Sequence, residues 1–297
     1  MRFGLRTGSA ALVYADAGEE AVTAIGLWRL LGGVCSGTLM AIVLSTLGKL
    51  PRADRAFSIW VLTQILFKVA AIYALAIILM RTGMQGFFLS LAALACLGLP
   101  LAWTLPDESW AEQRQGRAEW SGKAIMSLAG LVAFYIALSA LWANFETIGK
   151  THGFAVLDIA AVLSLTSLAG LAGATLSTLL AGRIARLHAL AAGIALIATA
   201  GYGLSRFESL SAYTVVGTAF AFAWFFTVPL LLATVNRNDR SGRVMVFANA
   251  AIAFGVAAGP SLSGVIVTLG SYTLLSTLGA AAFLLVFLLV FPSAREG

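Results

Sequence analysis

Long apolar stretches alternate with short polar turns along this chain. Nine stand out, at 24–47, 57–80, 86–104, 124–144, 154–180, 187–204, 210–234, 244–269 and 272–291. Each is near the ~20 residues a helix needs to cross the hydrocarbon layer of a bilayer. The apolar residues run on continuously, without the two-residue alternation of a lipid-facing strand, so the pattern predicts helices and not a barrel. A tenth, weaker stretch covers 5–20. It reads either as a further span or as a signal peptide, with Arg2 and Arg6, the apolar run from Gly8 to Tyr14, then Ala15-Asp16-Ala17. The fold class expected is an all-α polytopic membrane protein.

Composition agrees. Of 297 residues, 60% are apolar and 11% charged, against roughly 25% charged in a soluble domain. The mean hydropathy is +0.93. The net charge of +6 does not imply a nucleic-acid partner, because the basic residues sit in short turns and not on one face. The expected partners are membrane lipid and a small-molecule substrate, with the chain monomeric. Cys35 and Cys96 lie inside apolar runs and read as small apolar residues. No metal is expected, since His152 and His188 are predicted on opposite sides of the membrane. No H-E-x-x-H, Cys-x-x-Cys or phosphate loop occurs, so an enzyme is not expected either.

The turns alternate in charge. One set holds Lys49, Arg52, Arg55, Arg114, Arg117, Lys123, Arg183, Arg186, Arg237, Arg240, Arg243 and Arg295; the other holds Arg81, Lys150 and Arg206. This asymmetry predicts that the first set is cytoplasmic, with the C-terminus inside, in a multi-pass protein of the plasma (inner) membrane.

An offset of 185 residues aligns the chain with itself without gaps. Arg52-Ala53-Asp54-Arg55 falls on Arg237-Asn238-Asp239-Arg240, Gln64 on Asn249, Gly32 on Gly217, and the span 86–104 on 271–289. Such a repeat predicts two parallel bundles around a shared cavity. Spans 124–144 and 154–180 have no counterparts upstream, so the chain is expected to hold spans three to twelve of twelve. The division expected is a partial N-terminal bundle (1–104), a polar cytoplasmic linker (105–123) and a six-helix C-terminal bundle (124–297). A non-transporting truncated remnant, or a misassigned start, is the competing expectation.

Three segments resemble the major facilitator superfamily. Arg29-Leu-Leu-Gly32-Gly33 is similar to the Arg-plus-glycine motif of the family's fourth helix. Asp239-Arg240-Ser241-Gly242-Arg243 resembles the D-R-x-G-R core of its cytoplasmic loop motif. Gly255-Val-Ala-Ala-Gly259-Pro260-Ser-Leu-Ser-Gly264 resembles the glycine–proline pattern of its eleventh helix. The resemblance implies secondary active transport of a small solute, such as a drug-like compound or an organic anion, by alternating access. It also implies proton coupling as one role for Arg29, which otherwise reads as an interfacial anchor. No cofactor is expected beyond a coupling proton or sodium ion.

Polar residues inside the spans supply the remaining candidates. Trp60, Gln64 and Lys68 recur every four residues and share a helix face. An ammonium at the bilayer midplane costs about 2.5–3.5 kcal/mol on insertion scales, which a polar cavity or a carboxylate partner would offset. Asp158 and Glu146, the latter following Trp142 and Asn144, are the carboxylates that could partner it or carry a coupling proton; the plainer reading of both is a helix-end residue in water. Asn249, as the repeat mate of Gln64, and Trp224 are cavity candidates, with interhelical bonding or packing as the alternatives. At the cytoplasmic corners Arg52, Asp54, Arg55, Arg183, Asp239, Arg240 and Arg243 could form gate salt bridges or serve only as topological anchors.

Overall fold

A computed structural model describes residues 36–102, 120–207, 209–239 and 244–294. Between 68 and 102, many side chains, Lys68 among them, lie outside that description. Eight described helices follow one another: α1 (Ser36–Gly48), α2 (Ala53–Ala102), α3 (Gly122–Thr151), α4 (Val156–Leu180), α5 (Arg186–Gly203), α6 (Leu210–Arg237), α7 (Val244–Leu269) and α8 (Tyr272–Ala294). The chain divides into two units, Met1–Val43 and Leu44–Gly297. Of the first, only the opening turns of α1 are described; everything below concerns the second.

Five of these helices, α3, α4, α6, α7 and α8, are long and apolar enough to cross a membrane. With the resulting succession of spans, this is a multi-pass membrane protein. The limits follow the apolar stretches to within a turn in most places. One exception is α3, which runs on to Thr151 and so takes Asn144 and Glu146 into the helix. The other is α2. The spans 57–80 and 86–104, expected to be separated by a turn at Arg81, are two helices that meet at a single joint, Gly83, with φ 68° and ψ −165°. Residues 81–86 contain no proline, so the helix is interrupted only where glycine admits a positive φ.

Close approach of small residues sets the packing. α3 packs on α7 and α8, α4 on α6, α5 on α6 and α8, and α2 on α4 and α6. Along α4, Thr166, Gly170, Gly173, Ala174 and Ser177 are buried. A Cβ on Gly173 would collide with the backbone oxygen of Phe222, so α4 and α6 touch backbone to backbone there. Gly255 and Gly259 of α7 press in the same way on Tyr135–Ala140 of α3, where Ser139 Oγ donates to the Gly255 carbonyl at 2.9 Å.

The ends are distinguishable. At one end Ser293 of α8 donates to the Lys123 carbonyl at the start of α3, and Trp120 lies 5.1 Å from Phe247 of α7. The turns holding Arg52, Arg183 and Arg237 share this basic end. At the opposite end Tyr213 Oη donates to the Phe145 carbonyl at 3.0 Å and stacks on Phe145, while Phe154, Phe207 and His152 close around it. Arg206 lies over Tyr202 and donates to Thr277, fixing the outer turn of α5 to α8.

Candidate functional site

Two places gather the polar side chains singled out by the sequence. The first is a cleft at the basic end. α1 and α2 join through Lys49–Arg52, α4 and α5 through Ala181–Ala185, and α6 ends at Arg237. These segments enclose a cavity of about 680 Å³ lined by Arg52, Asp54, Arg55, Arg183, Arg186 and Arg237, with Gly48 and Asn236. Asp54, in the first turn of α2, is gripped by Arg186, in the first turn of α5. Nη2 donates to Oδ1 and Oδ2 at 2.8 and 2.6 Å, and Nε to Oδ2 at 3.3 Å. The pair is mostly buried, with 26% of the carboxylate side chain and 17% of the arginine exposed.

Two further bonds join the same segments. Asn236 Nδ2 donates to the Gly48 carbonyl at 2.8 Å, and Ser58 Oγ lies 3.2 Å from Ser177 Oγ. Beside them Phe57, Val61 and Ile65 bury one face of α2.

The gate candidates are therefore partly assembled, though not by the expected pairing. Asp54 meets Arg186, not its neighbours Arg52 and Arg55, because those point from an exposed turn while Arg186 sits across the cleft. Arg52, Arg55 and Arg183 line the cavity with exposed side chains. Asp239 lies outside it and accepts from the Met245 amide at 2.8 Å, capping the start of α7. Arg240 and Arg243 lie outside the described residues. Arg186, Asn236, Ser58 and Ser177 were not singled out by the sequence. The one available signal was that Arg186 belongs, with Arg183, to the basic set of turn residues; the serines and Asn236 carry no sequence signal.

The second place is an aromatic surface between α3 and α6. Trp142 stacks on Phe145 at 5.4 Å and meets the edge of Trp224 at 5.6 Å; Trp224 stacks on Phe225 at 4.6 Å. Phe225 in turn fills the space over Gly170 of α4. Both tryptophans are half-buried, so part of each side chain stays outside the packing. Two residues on from Trp142, Asn144 Nδ2 donates to Ser263 Oγ of α7 at 2.8 Å and to the Ala140 carbonyl at 2.9 Å. Its amide oxygen makes no hydrogen bond among the described residues.

The other candidates stand apart. Glu146 pairs with Lys150 one turn on, at 2.6 Å and with about half of each side chain exposed. Asp158 is exposed in the first turn of α4, Gln64 is exposed on α2, and Asn249 is half-buried on α7. Lys68 falls within α2, and its side chain lies outside the description. Arg29 lies outside the described residues. Among the described residues no group of His, Cys, Asp and Glu is placed to hold a metal ion.

Six helices, α3 to α8, with α2 docked on α4 and α6, make up an all-helical fold whose helices meet through small residues. The crystal structure of the human organic anion transporter MFSD10 (TETRAN) shares it, with a TM-score of 0.72 over 92% of this chain and 72% of that one, at 19% identity. No family model matches the chain, and no curated protein matches it in sequence.

Proposed function

We propose that this chain is a secondary transporter of the major facilitator type, carrying a small solute across the plasma (inner) membrane by alternating access. The observation that supports this most is the closure at the basic end. A part-buried ion pair, Asp54–Arg186, ties α2 to α5, and the Ser58–Ser177 contact ties α2 to α4. Such a contact is strong enough to hold one arrangement and local enough to be exchanged for another. The basic turns favour a cytoplasmic position for this end, which would make Asp54–Arg186 the latch of a closed inner gate.

The solute is met by the ring faces of Trp142 and Trp224 and by the Asn144 amide. Lys68, within α2, would add a positive charge. A cation there favours an anionic solute, and the structural neighbour is named as an organic anion transporter; organic anions are the class to test first. Coupling to a proton or sodium ion falls to Asp158, since Glu146 is already paired with Lys150.

The test is uptake of labelled organic anions into vesicles reconstituted with the full chain, with and without a pH or sodium gradient. Transport that responds to a gradient and is lost in Lys68→Ala supports the reading. Uptake no greater than in protein-free vesicles across the anion panel removes it.

A further inference from the structure

We propose that the arginine cleft at the basic end binds a phosphate group, carried either by an anionic phospholipid headgroup or by a small soluble phosphate. Five guanidiniums, Arg52, Arg55, Arg183, Arg186 and Arg237, share this cavity with one carboxylate, Asp54. Asp54 is consumed by Nε and Nη2 of Arg186. The third nitrogen, Nη1, is buried with no hydrogen-bond partner among the described residues. A buried donor of a charged group left unpaired is costly, and native structures normally supply it with a partner.

The side chains of Arg52, Arg55 and Arg183 line the same cavity, and no described residue gives them a hydrogen bond or an ion pair. Several like charges around one concave wall repel one another and raise the local concentration of anions. Guanidiniums bind phosphate oxygens in bidentate fashion, which a chloride ion cannot reproduce.

A cavity of about 680 Å³ is large for an inorganic anion and ample for a headgroup. Leu50 and Ile184, both exposed apolar residues in the turns that frame it, give an acyl chain a surface to lie on. A phosphate seated there would join the turn before α2 to the turn before α5, in parallel with Asp54–Arg186. The site does not depend on the transport reading: it would bind phosphate in a chain that moves no solute.

The test uses the purified full chain. Its thermal unfolding is followed in neutral detergent with inorganic phosphate against chloride at equal ionic strength, and in nanodiscs of phosphatidylglycerol against phosphatidylcholine. Stabilisation in the phosphate arm identifies a soluble anion as sufficient; stabilisation in the phosphatidylglycerol arm alone identifies the headgroup. In the double variant Arg52→Gln with Arg183→Gln, the apparent Kd rises about tenfold or more, the scale set by losing charge-assisted hydrogen bonds. Arg206→Gln, which removes the same charge at the opposite end, leaves it unchanged.

A second measurement needs no variant. Phosphate or phosphatidylglycerol should slow phenylglyoxal modification of Arg52 and Arg183, read by peptide mass spectrometry, without slowing that of Arg206. Absence of stabilisation in both arms, an equal effect of Arg206→Gln, or unprotected Arg52 and Arg183 would overturn the proposal.

Discussion

Arg186 holds Asp54 through Nε and Nη2 although 132 positions of sequence separate the two. The contact joins the first turn of α2 to the first turn of α5 across the cleft. Removing the carboxylate leaves a largely buried guanidinium without its counter-charge. Since about a quarter of the carboxylate is exposed, the cost is set well below that of a fully buried pair, at about 1–2 kcal/mol. That is enough to change the population of the closed arrangement about fivefold or more.

The neighbouring serines report on it. Ser58 and Ser177 stand with their Oγ atoms 3.2 Å apart, within the reach of a disulfide between cysteines. Ser58→Cys with Ser177→Cys should cross-link readily under mild oxidation in the full chain. Adding Asp54→Asn should lower the yield several-fold on a gel-shift assay, and adding Arg186→Asp with Asp54→Arg should recover part of it. An unchanged yield in Asp54→Asn would mean that the ion pair does not hold these ends together.

Gly173 is expected to tolerate no side chain. Its Cβ would lie 2.2 Å from the Phe222 oxygen, which is backbone and cannot rotate away. Gly173→Ala should therefore force α4 from α6 and destabilise the protein by about 1–3 kcal/mol, the range for overpacking a filled interface. Gly264→Ala, with nothing within 4 Å of its Cβ, should leave the melting temperature near that of the parent or raise it, because alanine is the better helix former. Equal melting temperatures for the two variants would refute the close contact.

The hydroxyl of Tyr213 makes one buried bond, to the Phe145 carbonyl, inside a ring of aromatic side chains. Tyr213→Phe keeps every ring contact and removes only that bond. The expected loss is about 0.5–1.5 kcal/mol, visible as a small drop in melting temperature. Tyr213→Ala, which also empties the ring cluster, should cost about 3–5 kcal/mol. The ratio between the two separates the hydrogen bond from the packing.

The spans were legible because crossing lipid demands long apolar runs, and α7 occupies the stretch 244–269 that hydropathy alone marks out. The joint at Gly83 was not, because one glycine between two apolar runs looks the same whether it sits in a loop or interrupts a helix. Arg52 and Arg237, matched by the internal repeat, line the same cavity. The partner of Asp54 was not, since an ion pair across 132 positions depends on how two helix starts face each other. Trp142 and Trp224 were each visible as aromatic residues in apolar spans, whereas their edge contact at 5.6 Å comes from the antiparallel packing of α3 and α6.

Transport should separate the roles of charge and of aromatic surface. Lys68 falls within α2, and on the proposed reading its ammonium would attract an anionic solute without touching its apolar part. Trp224, half-buried against Trp142 and Phe225, would stack on the solute whatever its charge. Lys68→Ala should then raise KM for organic anions about tenfold, the scale of one charge-assisted hydrogen bond, and leave uptake of neutral analogues unchanged. Trp224→Ala should weaken both classes alike. Restoring the charge with Lys68→Arg should recover anion uptake in part, since the guanidinium keeps the charge but changes the geometry. Measured in reconstituted vesicles, equal losses for anionic and neutral solutes in Lys68→Ala would place the lysine in the helix packing and leave the aromatic pair alone at the site.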